Sequence, residues 1–251
     1  MTNIYHIVYF ENDNSIYSFF RGCNFACKGC ILKISPWDCH LPASLHSKLQ
    51  RHPAFQTLSS AELDSLIEKL KVEREVLGGA EPTMDGELID VVKLLRSHDV
   101  YVVLLTNGHN LNADMLRSLE DAGLNEVCVS IKAFTDSIHT YYTGVSNRRV
   151  LENFKRLSGC QIKLKAESVL IPGLIDIDEV ERIAKFIASL NSTIPYRIDA
   201  YLQVPGTPWP DAPPERVKKA VKISRKYLEN VSYLHGDVPV VGGVRVVYPK
   251  I

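Results

Sequence analysis

The strongest constraint on how this 251-residue chain can fold is its rhythm, in which apolar runs of strand length alternate with stretches of helical period. Ile4–Phe10 and Ser15–Phe20, joined by Glu11-Asn12-Asp13-Asn14, predict an opening hairpin. Ser59 and Glu62 have capping-box spacing, and Leu63, Leu66, Ile67 and Leu70 recur on one helical face behind them. A strand over 73–77 runs into Gly78-Gly79, and Asp85 is placed to cap a helix bearing Leu88, Ile89, Val92 and Leu95. The unbroken apolar run 100–105 predicts a parallel strand buried on both faces. A helix over 112–122 stops at Gly123; strands over 127–131, 162–171 and 194–202 alternate with helices over 150–157, from Asp176 or Asp178, and over 215–228. Counted from Ser15, these are six strand-then-helix units, which imply a parallel sheet with its helices outside. Six units suit an α/β fold of the open partial (β/α)6 barrel type, with a short N-terminal hairpin and a C-terminal extension. The expected organisation is one domain over 1–251, with a core at about 15–203 and an extension over 204–251.

Composition narrows the class of function. Lys plus Arg and Asp plus Glu both number 29, so no net charge is available to draw in nucleic acid or an acidic membrane surface. No apolar run is long enough to span a bilayer, and Met1-Thr2-Asn3-Ile4 lacks the pattern of a secretory leader. A cytoplasmic location is expected. In a reducing compartment six cysteines point to metal ligation or redox work rather than to disulfides. Cys128 and Cys160, set among apolar residues, are expected to act as small buried hydrophobes.

Three cysteines lie within eight residues as Cys23-x3-Cys27-x2-Cys30. Electron-transfer clusters generally take four cysteines, whereas three leave one iron able to bind something else. A zinc site is the competing reading, because Cys39-His40 follows nine residues after Cys30 and Cys3His sites exist. The x3-then-x2 spacing lacks the paired CxxC pattern usual for zinc. In an α/β sheet the chemistry gathers beyond the carboxyl ends of the strands, where this loop and several polar or glycine-rich turns are expected.

The run Arg21-Gly22-Cys23-Asn24-Phe25-Ala26-Cys27-Lys28-Gly29-Cys30 resembles the cluster loop of the radical S-adenosylmethionine (SAM) superfamily. Gly78-Gly79-Ala80-Glu81-Pro82-Thr83 is similar to that superfamily's Gly-Gly-Glu-Pro loop, with either Ala80 or Glu81 in the glutamate's place. Thr106-Asn107-Gly108, Ser130-Ile131-Lys132 and the stretch 132–153 resemble the pyruvate formate-lyase activating enzyme branch. The resemblance implies a 4Fe-4S cluster on Cys23, Cys27 and Cys30. It also implies S-adenosylmethionine held by Gly29, Ile31, Gly78, Gly79, Ala80, Glu81, Thr106, Asn107, Ser130, Lys132 and Tyr201. Lys132 would neutralise the cofactor's carboxylate, and Ile171-Pro172-Gly173 would shape the adenine side. The chain departs from that branch in four places. Gly29 replaces a residue that is commonly aromatic and packs on adenine, Leu105 and Ser130 replace two aspartates of a monovalent-cation site, and Leu202 replaces a histidine after Tyr201.

The activity implied is reductive cleavage of SAM to a 5′-deoxyadenosyl radical that abstracts hydrogen from a substrate. The implied partners are an electron donor such as ferredoxin or flavodoxin and a glycyl radical enzyme that the chain activates. A radical enzyme acting directly on a small molecule, peptide or RNA is the alternative within the class. A non-catalytic iron–sulfur or zinc redox module is the alternative outside it.

Overall fold

The structure is a computed structural model and describes residues 1–38, 41–51, 56–235 and 242–250. In chain order its elements are β1 (Ile4–Phe10), β2 (Ser15–Phe20), α1 (Ala43–Gln50), α2 (Ser60–Leu70), β3 (Arg74–Gly79), α3 (Leu88–Ser97), β4 (Tyr101–Thr106) and α4 (Ala113–Asp121). There follow β5 (Glu126–Ser130), α5 (Asp136–Thr143), α6 (Arg148–Leu157), β6 (Lys163–Leu170), α7 (Ile177–Leu190), β7 (Tyr196–Ala200), α8 (Pro214–Ser224), β8 (Val231–Leu234) and β9 (Val244–Tyr248). The sheet order is β8-β7-β6-β5-β4-β3-β2-β1-β9. Strands β2 to β8 pair in parallel, each with its successor, while β1 pairs antiparallel with β2 and with β9. β8 and β9 are the two ends of the sheet and do not pair, so the barrel is open, as the six units predict.

Several local signals act as expected. The Ser59 side chain accepts from the Glu62 N–H, and the Glu62 carboxylate takes the Ser59 N–H, which closes the capping box of α2. Asn112 caps α4 by accepting from Met115 N at 2.9 Å. Asp85 corrects one expectation: the N-cap of α3 is Glu87, and Asp85 instead accepts from Glu87 N at 2.9 Å and from Asn3 N at 2.7 Å. It ties the chain start to the turn after β3 rather than capping the helix.

Register determines which side chains meet the helices. Leu77, Leu104 and Val127 are successive partners across β3, β4 and β5, and Ala166 pairs with Tyr196 across β6 and β7. All are buried in one core with Leu63 and Ile67 of α2, Leu95 of α3, Phe154 of α6 and Ile183 of α7. Each such aliphatic or aromatic side chain contributes roughly 1.5–3 kcal/mol by leaving water. The alternate residues face the barrel interior, and on β5 to β7 they are largely polar: Cys128 pairs with Lys165, Ser130 with Glu167, Glu167 with Arg197, and Val169 with Asp199. A second core of Tyr5, Val8, Phe19, Trp37, Leu41 and Leu49 covers the interior face at the hairpin. Trp37, Leu41 and α1 therefore roof one edge of the barrel. The C-terminal extension adds β8 at one edge and β9 at the other; of the Val240-Val241-Gly242-Gly243-Val244 run, 240–241 lie outside the described residues, as do Cys39 and His40.

One core position is costly. Glu75 is fully buried on the helix side, where its Oε1 accepts from Ser18 Oγ at 2.6 Å and its Oε2 has no partner among the described residues. Burial pushes its carboxyl up to about 8, against which the Ser18 bond acts weakly. The native state therefore keeps a proton that the unfolded chain releases above its ordinary carboxyl range. Stability should fall with rising pH between about 4.5 and 8, at up to roughly 1.4 kcal/mol per pH unit. Glu75→Gln copies the protonated acid, so urea unfolding of the variant across this window should lose that slope. An unchanged slope would show that Glu75 is ionised in the fold.

Candidate functional site

The cysteine loop leaves the end of β2 and is pinned on two sides by backbone bonds. Ala26 N and Lys28 N donate to Thr143 O and Tyr142 O at the end of α5, at 2.8 and 2.9 Å, while Glu81 N donates to Gly22 O at 3.0 Å. Cys23 is exposed, and Cys27 and Cys30 are half-buried. Phe25 N donates to Cys23 Sγ at 3.4 Å, and Asn107 Nδ2 lies 3.9 Å from the same sulfur. Burial pushes the Cys27 thiol up to about 11; Lys132 opposes the rise, and the Cys30 and Cys23 sulfurs add to it. Cys23 is raised by burial too, with Lys132 again acting against it. Three sulfurs that influence one another, with N–H groups aimed at one of them and an ammonium nearby, form a donor set that fits a cluster of several iron atoms. Among the described residues no three His, Cys, Asp or Glu side chains are gathered tightly enough for a single metal ion.

Glu81 is the hub of the site. Its side chain is fully buried, its Oε1 accepts from Thr83 N, Thr83 Oγ1 and Thr106 Oγ1 at 3.2, 2.5 and 2.6 Å, and its Oε2 accepts from Asn107 N at 2.7 Å. Asn107 Nδ2 then donates to Asn24 Oδ1 at 2.7 Å, beside Cys23. One carboxylate thus joins the loops after β3 and β4 to the cysteine loop. Of the two candidates for the glutamate position, the carboxylate is Glu81, while Ala80 contributes backbone, its N donating to Phe20 O at 3.2 Å. Gly79 has φ +86°, and a Cβ there would meet Phe19 Cα at 2.9 Å, so the close passage of β3 over β2 requires glycine. Gly78 lies beneath Tyr17, whose hydroxyl accepts from Gly79 N at 3.2 Å.

Lys132 follows β5, is half-buried, and donates through Nζ to Ser130 Oγ at 2.5 Å. Tyr201 is buried against the cysteine loop: a Cβ on Gly29 would meet Tyr201 Cε2 at 2.8 Å and Tyr142 Oη at 3.2 Å. The two tyrosines occupy the space beside Gly29 where a larger residue would stand. Tyr201 Oη also bonds Thr207 Oγ1 at 2.8 Å and accepts from Val204 N at 3.2 Å, which fastens the 204–207 turn to the loop. Ile31 stands apart from this assembly, 42% exposed on the short turn after Cys30.

Other functional candidates were passed over in the linear reading. On the barrel's inner face Arg197 pairs with Glu167 at 2.6 Å and with Asp199 at 2.7 Å. Burial and Glu167 push the Asp199 carboxyl up to about 6, with Arg197 and Lys132 acting against them. Charges two apart inside a short strand were the available signal, because only an interior polar face accommodates them. Cys128 corrects an expectation here: its Sγ lies 3.8 Å from Glu167 Oε2 on that polar face, because alternation turns it away from the apolar helix side. Tyr142 and Asn24 carried no signal beyond lying in the resembling stretches.

An open parallel barrel with three cysteines on the loop after the first parallel strand defines a class of cofactor-dependent radical enzyme. The family model of the radical SAM superfamily matches residues 17–187, and the chain belongs to that superfamily. It is 33% identical over 216 residues to a Methanocaldococcus jannaschii protein provisionally named a glycyl-radical enzyme activating enzyme, covering 84% of this chain and 77% of that one. It is 25% identical to the pyruvate formate-lyase 1-activating enzyme of Escherichia coli, covering 70% and 69%. A solved radical SAM methyltransferase from Sphaerobacter thermophilus shares the fold with a TM-score of 0.63 at 16% identity, over 92% of this chain and 71% of the other. Several further relatives, named as GTP 3′,8-cyclases, are matched over about half their length. The chain is accordingly a radical SAM enzyme that uses a 4Fe-4S cluster and S-adenosylmethionine. Among the described residues no helix is long and apolar enough to cross a membrane.

Proposed function

We propose that this enzyme is an activase that draws a hydrogen atom from a glycine of a partner protein and leaves a glycyl radical there. The observation that carries this reading is the relative named for such activation, matched over most of both chains. The interior face adds chemical support: Asp199 and Glu167 offer acceptors, and Arg197 a donor fork, which suits the alternating N–H and C=O groups of an extended peptide.

Cys23, Cys27 and Cys30 hold the cluster, with the Asn107 amide and the Phe25 N–H directed at Cys23. When bound, cluster and SAM supply a 5′-deoxyadenosyl radical by one-electron cleavage of the sulfonium S–C5′ bond. Lys132 holds the cofactor carboxylate by charge, and Ser130 fixes the direction of its ammonium. The backbone of Gly78-Gly79-Ala80 receives the methionyl amino group, with Glu81, Thr106 and Asn107 keeping that loop in register. Tyr201 and Tyr142, packed on Gly29, set the adenine side.

The test is anaerobic reconstitution with iron and sulfide, followed by SAM, dithionite and a candidate glycyl radical enzyme deuterated at glycine. The expected result is a glycyl EPR signal on the partner and deuterium in 5′-deoxyadenosine. Cofactor cleavage without label transfer from any glycyl radical enzyme supplied, but with transfer from a metabolite, would replace the activase by a small-molecule enzyme.

A further inference from the structure

Beside the cysteine loop lies a groove of about 340 Å³, between Lys28, Lys33 and Tyr141 on one side and the 205–209 turn, ending at Trp209, on the other. Neither the cluster nor SAM has a use for it in the reading above. We propose that this groove is the docking surface for an acidic one-electron carrier protein that reduces the cluster. The proposal rests on the radical SAM chemistry of the chain and names the partner that serves it.

Charge is the first ground. The groove is lined by two lysines and by no carboxylate. Lys28 sits between Cys27 and Cys30, with its ammonium 4.8 Å over the Tyr141 ring, and Lys33 Nζ donates to Lys28 O at 3.1 Å. Both cations therefore stand at fixed places next to the cluster ligands, although the chain as a whole is neutral. A local positive patch on a neutral protein selects an acidic partner and speeds its encounter.

Connection to the cluster is the second ground. Trp209 packs edge-on against Tyr141, Tyr142 and Tyr201, at ring separations of 6.4, 6.1 and 6.3 Å. Tyr142 and Tyr201 in turn close on Gly29. The groove is thus walled by the cysteine loop itself at Lys28 and backed by an aromatic layer, so a docked carrier comes near the cluster without entering the barrel. Tyr141, 53% exposed, and the prolines of the 205–209 turn give the patch an apolar component, as protein interfaces require. In the docked complex one electron leaves the carrier and enters the cluster; the carrier is oxidised, the cluster reduced, and no covalent bond changes.

The test compares reductants. SAM cleavage by wild type, the Lys28→Glu/Lys33→Glu double variant and the Lys28→Arg/Lys33→Arg double variant is measured with dithionite and with reduced flavodoxin or an acidic ferredoxin. The glutamate variant should keep dithionite-driven 5′-deoxyadenosine formation within about twofold and lose about tenfold or more in kcat/KM for the carrier. Its residual rate should no longer fall with added salt, and the arginine variant should behave as wild type. Carrier-driven cleavage unaffected by the glutamates overturns the proposal. So does an equal loss with both reductants, which would assign the lysines to the cofactor site, and so does failure of every carrier to reduce the wild type. Absence of dithionite-driven cleavage in wild type would instead overturn the radical SAM chemistry itself.

Discussion

Cys27→Ala should yield no 5′-deoxyadenosine above background when the reconstituted protein is given SAM and dithionite, and it should bind little iron. Three thiolates are the minimum by which this loop can hold a four-iron cluster with one iron open, and removing one leaves two. Cys27 is half-buried, like Cys30, and packs against the main core, so its loss removes a ligand that solvent or a neighbouring side chain cannot replace. The metal-free variant should retain the fold, because α5 grips the loop through backbone atoms of Ala26 and Lys28 rather than through the sulfur. Iron content, the broad visible absorbance and product formation should fall together, with far-UV circular dichroism unchanged. Continued product formation at the wild-type rate would remove Cys27 from the ligand set.

The second large effect is expected at Glu81. Glu81→Ala leaves Thr83 N, Thr106 Oγ1 and Asn107 N without their shared acceptor in a fully buried place. Each buried neutral donor left without its acceptor costs roughly 1–3 kcal/mol. In a chain of this size that lowers Tm by about 2–4 °C for each kcal/mol. The damage also spreads: Asn107 loses its anchor, and with it the bond to Asn24 that steadies the loop at Cys23. Reduced thermal stability should therefore accompany weaker SAM binding by calorimetry. Glu81→Gln, which keeps one acceptor oxygen, should lie between wild type and the alanine variant. A Glu81→Ala protein as stable as wild type would mean that the loops are held by other contacts.

Much of the scaffold was legible from local signals. The hairpin, the capping box at Ser59, the cap at Asn112 and the left-handed stop at Gly123 depend on neighbours within a few residues, and the structure has each of them. Helix α5 was not foreseen, because Asp136–Thr143 buries few residues and carries a polar, β-branched and aromatic mixture with weak helical period. Its start and end are set by tertiary contacts, including Asn147 N donating to Asp136 Oδ1 at 2.9 Å. β9 was equally hidden. It pairs with β1 across more than 200 residues, in a register that no local pattern encodes.

The parallel α/β architecture is written in local patterns, because periodicity is a short-range property, and so are the three cysteines, because their spacing on one loop is covalent. What surrounds them follows from long-range packing. Glu81 reads in the sequence as one of two candidates in a turn, and becomes the hub of three loops once β3 and β4 lie side by side. Gly29 reads as a missing aromatic, and becomes the place where Tyr142 and Tyr201 close in from α5 and from the end of β7. Cys128 reads as a core hydrophobe, and strand alternation turns it to the charged interior. In each case the deciding contact joins residues far apart in the chain, and it exists only after the sheet has brought their strand ends together.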